Sequence, residues 1–197
     1  GMKGFPCVPG PDLVVSLHTR RLMLDPLDVA DAAADFRYRS LPSVRRFQMW
    51  EPGSPEEVAS FLREPRRWEW ETPGVWHQLG LRERRGGALV GDCGFRCPAE
   101  DPRQGEIGIT LAPEAQGKGL AAEALRALLE YLFVRRGMHR VFGSVDPENR
   151  PCRNLLLRVG MRQEAHFVSS LWFKGAWVDD LVFAMLEREH EPMGERL

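Results

Sequence analysis

No stretch of the 197-residue chain is long and apolar enough to span a bilayer, and Gly1 to Pro11 lacks the apolar core of a signal peptide, so a cytoplasmic protein is expected. An excess of one charge is also missing. Lys and Arg number 27 against 28 Asp and Glu, a formal net charge of -1, which gives no reason to expect nucleic acid or an anionic membrane as the main partner. Cysteine is sparse, and Cys7, Cys93, Cys97 and Cys152 lack the paired spacing of a zinc site or a disulfide framework. That pattern suits a reducing compartment and no bound metal. Cys93 and Cys97, four apart in an expected strand, share a face, and core positions are expected for both. With no internal repeat, no low-complexity linker and 43% hydrophobic residues, the length suits one compact domain. Residues 1–12 read as a flexible lead-in whose Gly1 before Met2 is a cloning remnant, 13–190 as the domain, and 191–197 as a tail.

What is present is a clear alternation of periods. Leu13, Val15, Leu17, Leu22 and Leu24 predict a strand over 13–24, interrupted near His18 and Thr19. A helix is expected over 26–39, capped by Asp28, with Val29, Ala32, Ala33 and Phe36 as its apolar stripe. Ser54-Pro55-Glu56-Glu57 starts a second helix, running to Arg63 or resuming through Trp70. Strands follow over 75–82 and 88–96, joined by a turn at Arg84-Arg-Gly-Gly87, then a strand over 106–111. A long helix reaches Arg136 with Gly137 as its C-cap. A strand over 140–145, a short helix over 151–159 and two strands over 163–173 and 177–185 complete a mixed α/β sandwich around one sheet.

The chemistry is expected between Ile107 and Leu125, where a strand ends at Leu111 and Gly117 and Gly119 open a helix at Leu120. Two glycines let backbone N–H groups approach a ligand, and the helix dipole points its positive end to the same place, which makes an anion site suited to a pyrophosphate. A P-loop is excluded, because Lys118 is followed by Gly119 rather than a magnesium-binding hydroxyl. Gly117, Gly119 and Ala122 also fit a dinucleotide fingerprint, with Asp146 as its ribose acid. Against it, Ala112 to Gln116 separate the turn from its strand. A glycine loop before an ordinary helix is the plain alternative.

Gln116-Gly-Lys-Gly-Leu-Ala121 fits a third pattern, Gln/Arg-x-x-Gly-x-Gly/Ala, and resembles the acyl-CoA pyrophosphate loop of the GNAT N-acetyltransferases. Val145 to Met161 resembles that family's segment in which an Asn and a Ser open a helix, and Thr19 to Leu27 resembles the first strand of its RimJ/RimL-like branch. The resemblance covers roughly 13–190 and implies a GNAT fold, α/β (α+β), with a mostly antiparallel sheet splayed between its fourth and fifth strands. It also implies acetyl-CoA or another acyl-CoA as co-substrate. Ile109, Thr110 and Leu111 would hold the pantetheine arm, the backbone of Ile109 and Leu111 polarising the thioester, and Gln116, Gly117, Lys118, Gly119, Leu120 and Ala121 would cradle the pyrophosphate. Asn149 and Cys152, with Arg153 and Asn154 as later helix positions, complete the implied cofactor set.

Along 106–111, period two puts Ile107, Ile109 and Leu111 on one face and Glu106, Gly108 and Thr110 on the other, a small polar face. Glu106 is the candidate base for the attacking amine, with a solvent-facing or ion-paired carboxylate as its plain alternative. Cys152 stands where the resembling enzymes often carry a Ser, and no Tyr lies between Asn149 and Met161. The proton for the departing thiolate would therefore come from a thiol, or Cys152 only fills space. Asn149 fixes the cofactor or a water, or caps a turn. The acceptor would be a primary amine, at a protein N-terminus or on a small molecule, with Glu51, Asp179 and Asp180 as acids that attract it. Trp50, Trp68, Trp70, Trp76, Trp172 and Trp177 would line its pocket or pack the sheet. The rivals to a direct-attack N-acyltransferase are a CoA-binding sensor or assembly module without catalysis and an NAD(P)-binding protein. A homodimer is common among resembling proteins.

Overall fold

The computed structural model describes residues 15–64 and 72–193. Eight strands form one sheet in the order β1-β2-β3-β4-β5-β6-β8-β7. They are β1 (Leu17–His18), β2 (Leu22–Pro26), β3 (His77–Glu83), β4 (Leu89–Arg96), β5 (Gln104–Leu111), β6 (Arg140–Val145), β7 (Arg162–Phe173) and β8 (Ala176–Leu186). Every neighbouring pair is antiparallel except β5 and β6. The expected first strand is thus two, folded back on each other where Thr19 N donates to Leu22 O at 2.9 Å. Counted as one, it makes β5 and β6 the fourth and fifth strands. Leu13 lies outside the described residues.

Among the described residues five α-helices cover the sheet: α1 (Ala32–Arg39), α2 (Pro42–Arg45), α3 (Pro55–Leu62), α4 (Leu120–Glu130) and α5 (Arg150–Arg158). The apolar residues of α4 at helical spacing, Leu125, Leu128 and Leu129, are almost fully buried, with Phe95, Ile107 and Val141 of the sheet in the same core. A fully buried Leu contributes roughly 1.5–3 kcal/mol, so this one helix anchors its face of the sheet. Toward its end α4 passes into a single π turn, Tyr131–Arg135, and Gly137 takes the left-handed conformation expected of a C-cap. Cys93 and Cys97 are both core residues. On the opposite face α3 is capped by Ser54, whose Oγ accepts from Glu57 N at 3.1 Å, and it packs with Leu27 and Ala32.

The first helix departs from expectation. Pro26 stays in β2 and Asp28 caps a 3-10 turn, Val29–Asp31, so α1 begins only at Ala32. Val29 and Ala33 of the expected apolar stripe are exposed; the buried face carries Asp35, Tyr38 and Arg39. Tertiary ion pairing overrides the apolar pattern here. A resumption of α3 through Trp70 falls outside the described residues, as do Cys7, Trp68 and Trp70.

Pairing between β5 and β6 is confined to Gln104↔Arg140, Gly105↔Val141 and Glu106↔Phe142. Beyond Glu106, β5 stays with β4 as far as Gly91↔Leu111, while β6 stays with β8 as far as Val145↔Leu181. The sheet opens into a wedge between them.

Candidate active site

The wedge leads into a cleft of about 650 Å³ whose walls include Glu106, Gly108, Thr110, Ser144, Asn149 and Cys152. The open edge of β5 follows from its hydrogen bonds. Ala112 N donates to Val90 O on β4 at 2.8 Å, and backbone groups alternate sides along a strand, so those of Leu111, Ile109 and Ile107 point toward β6. Ile107 O indeed lies 3.5 Å from where a Cβ on Gly143 of β6 would sit. Gln116 Nε2 donates to Leu111 O at 3.1 Å, which leaves the Ile109 amide and carbonyl facing the gap.

The glycine turn continues from the end of this strand. Gly117 and Gly119 both take left-handed conformations, φ 75 and 78, and Gly119 caps α4 with no side chain to accept from its first amides. Those N–H groups, of Leu120, Ala121 and Ala122, are the donors a helix start offers to an anion. Leu120 has its side chain in the core, so it and Ala121 would contribute backbone only. Lys118 is exposed and acts structurally through its carbonyl, which accepts from Arg21 Nη1 at 2.8 Å. Arg21 Nε also donates to Glu123 Oε1 at 2.9 Å, while Arg21 N and Thr19 Oγ1 donate to Glu123 Oε2 at 2.9 and 2.6 Å. Burial pushes the Glu123 carboxyl up, but the bonds from Thr19 and Arg21 outweigh it and hold the group below the usual range. A β-hairpin on one side thus braces the loop on the other, a role not assigned to Arg21 from the sequence.

Glu106 does face the cleft, and it is not free. Arg96 Nη2 lies 2.5 Å from Glu106 Oε2, and the Arg96 guanidinium sits 5.6 Å from the centre of the Trp76 ring. Asn149 is the N-cap of α5: its Oδ1 accepts from Cys152 N at 3.3 Å. Burial pushes the Cys152 thiol up to about 11, so at neutral pH it is protonated. Arg153 turns back to donate to Pro147 O at 3.0 Å, and Asn154 is exposed and outside the cleft wall.

The expected acceptor acids divide. Glu51 is taken by Lys174, whose ammonium also donates to Arg45 O, so the tip of the β7–β8 hairpin is tied to the end of α2 and to the segment that follows it. Asp179 and Asp180 line the cleft; Asp179 accepts from Ser169 N at 2.8 Å and Asp180 from Ser144 Oγ at 2.5 Å. Trp50 and Trp76 line the cleft, Trp50 stacked on Phe61 at 4.3 Å. Trp172 and Trp177 instead form an exposed edge-to-face pair.

A mostly antiparallel sheet split at its one parallel pair, with a glycine turn at the mouth of the split, defines a class of acyl-CoA-dependent transferases. Among the described residues the only parallel unit runs for three residue pairs, so the sheet is not the doubly wound one a dinucleotide fingerprint requires. Residues 21–162 match the acetyltransferase (GNAT) domain, and the chain belongs to that family. It is 27% identical over 175 residues, 89% of its length and 98% of the relative's, to the uncharacterized N-acetyltransferase p20 of Bacillus licheniformis. The [Ribosomal protein uS5]-alanine N-acetyltransferase of Escherichia coli is 30% identical over 86 residues, 44% of each chain. Among solved structures, RimJ of Mycobacterium smegmatis in complex with CoA-disulfide superposes with a TM-score of 0.74 at 26% identity, covering 91% of this chain and 89% of that one. A GNAT-family acetyltransferase of Bacillus anthracis gives 0.78 at 24% identity, covering 88% and 99%. The chain is a GNAT-type enzyme of the RimJ/RimL-like branch.

Proposed function

We propose that the protein transfers an acetyl group from acetyl-CoA to a primary amine, of a protein N-terminus or a small molecule, by direct attack in a ternary complex. The observation that carries this reading is the free backbone edge at Ile109, continuous with the uncapped start of α4 through the glycine turn. Donors to a thioester oxygen and donors to a pyrophosphate then lie along one path, as acyl transfer needs. A covalent acyl-cysteine route lacks its nucleophile, since the thiolate is the reactive form and burial keeps Cys152 protonated. Instead the thiol serves as a hydrogen-bond donor beside the departing sulfur. Glu106, once released from Arg96 by substrate, is placed to accept a proton. Cleft acids Asp146, Asp179 and Asp180 favour an acceptor that arrives as a cation.

The test begins with thermal shifts for acetyl-CoA, CoA and NADH, each at about 100 times an assumed micromolar dissociation constant. A true ligand then stabilises by roughly 2.7 kcal/mol, or several degrees in Tm for this size. The expected result is a shift with acetyl-CoA and CoA, followed by thiol release when a panel of amines is added. Binding without thiol release from any amine would leave a CoA sensor instead, and a shift with NADH alone would overturn the cofactor assignment.

A further inference from the structure

Helix α1 buries charge rather than oil. Asp35, Tyr38 and Arg39 turn inward onto Asp92 of β4, and their relative exposures are 1%, 0%, 7% and 2%. Arg39 Nη2 donates to Asp92 Oδ1 at 2.6 Å, and its Nε lies 3.0 Å from Asp35 Oδ1 as an ion pair without the angle of a hydrogen bond. Two carboxylates therefore share one guanidinium, and a buried cluster of that composition is one proton short of neutral. Tyr38 Oη lies 2.8 Å from Asp35 Oδ2 and also in hydrogen-bond contact with Asp92 Oδ2. Three oxygens in a row need two protons, and the hydroxyl brings one. The other belongs on a carboxyl. Burial, and then the charge of Asp92, push Asp35 up to about 7, which agrees with that count.

The cluster also opens to the site. Asp35, Arg39 and Asp92 line the cleft, and Asp92 is paired across the sheet with Thr110, next to the free edge at Ile109. Cross-strand partners lie roughly 5 Å apart, so the cluster is one strand-width from β5, and the acyl-transfer position in the gap beyond β5 is about one strand-width further, a span for water to bridge. The other charged groups around it are committed or turned away. Arg39 Nη1 donates to Gln48 at 3.3 Å, Arg82 on β3 is held by Asp25 and Asp31, and Glu106 on β5 is held by Arg96. From α3, Glu57 accepts from Gly53 N and Glu56 is exposed; from the α2 end, Arg45 pairs with Glu51 and Arg46 with Glu148. Cys93 alternates to the opposite face.

Resting on the acyl-transfer reading above, we propose that Asp35, Tyr38 and Asp92 form a proton-exchange site in the cleft wall, separate from Glu106, that takes up the proton the acceptor ammonium loses before it attacks, while Glu106 takes the second proton as the amide forms. The ammonium N–H bond breaks with its electron pair left on nitrogen. The proton passes through water to the carboxylate, which becomes a carboxyl, and it returns to bulk solvent after the product leaves. Below neutrality the site is already full, and the rate falls.

The experiment uses the full-length protein with 13C in its aspartate carboxyls, followed by NMR from about pH 5 to about pH 9, alongside kcat/KM for amines of different basicity. The expected result is a carboxyl that titrates near neutrality and a break in kcat/KM at the same pH whichever amine is used, whereas the amine's own break moves with its basicity. Asp35→Asn abolishes the enzyme's break. Tyr38→Phe removes a hydroxyl that holds Asp35 down and moves the break up by about one pH unit, a shift that a merely structural contact would not produce. Aspartates ionised throughout, or a Tyr38→Phe profile superimposing on the parent's, would overturn the proposal even if Asp35→Asn fails to fold, and would leave the acyltransferase standing. Failure of every amine to release thiol from the parent would instead remove the acyl-transfer reading and the proton site with it.

Discussion

Replacing Arg21 by Ala separates the architecture of the glycine turn from its chemistry. The guanidinium makes one bond to Glu123 Oε1 and one to Lys118 O, whereas Thr19 Oγ1 and the Arg21 amide hold Glu123 Oε2 and survive the substitution. The tie between the β1–β2 hairpin and α4 is therefore retained, and the support of the loop is lost. The Arg21 side chain is 44% exposed and that of Glu123 19%, so the pair is discounted for solvent screening to about 0.5 kcal/mol of fold stability. The charge-assisted bond to Lys118 O orders the loop itself and is set at about 1 kcal/mol. Since about 1.4 kcal/mol is a factor of ten, CoA should bind roughly fivefold more weakly, with Tm lowered by only about one or two degrees. Isothermal titration of CoA and a melting curve on the same preparation measure both. Arg21→Lys, which cannot reach both partners in one planar fork, should fall between parent and Arg21→Ala. A Kd within twofold of the parent's, whatever the loss in Tm, would refute the argument that this arginine preorganises the turn.

Three further outcomes are expected. Glu106→Gln should lower kcat at least tenfold with little change in KM for acetyl-CoA, since the strand backbone that binds the cofactor is untouched; equal losses in Arg96→Met and Glu106→Gln would mean that the ion pair, not the carboxylate, matters. Cys152→Ser should keep or raise turnover while Cys152→Ala lowers it severalfold, and identical rates in both would reduce the thiol to a space filler. Asp35, raised in the fold to about 7 from an ordinary carboxyl value, contributes stability that is present in full below about pH 4 and is lost as pH rises through 7. The parent's Tm should therefore fall over that window by an amount worth on the order of 4 kcal/mol at most. The Asp35→Asn variant should show a flatter profile, and parallel pH curves for the two proteins would sink the assignment.

Where local rules suffice, the chain is legible without its fold. Gly117 and Gly119, a strand of alternating Ile and Leu before them and a run of Ala and Leu after them are short-range patterns, and they place the turn, β5 and α4 correctly. Ser54 before Pro55, and Gly137 after the basic end of the α4 segment, fix boundaries for the same reason: capping is a contact within one turn. The wedge between β5 and β6 came only by resemblance, because nothing in either strand's own pattern says where a ladder between distant segments must end.

What the tertiary structure alone decided is the company each charged group keeps. An apolar stripe was expected on α1, yet the helix buries Asp35 and Arg39, since Asp92, more than fifty residues on, supplies the partner that makes burial tolerable. The one signal is Asp92 itself, a lone carboxylate in the strand Leu89–Arg96, whose other residues before Arg96 are all apolar. Glu106 was placed on the correct face by period two, while its engagement by Arg96 depended on the register of β4 against β5. Arg21, bracing a loop nearly a hundred residues away, was likewise invisible. Hydrophobic period and turn chemistry are written in neighbouring residues and so can be read from the chain; ion pairs between segments depend on strand register and packing, and exist only once the sheet has formed.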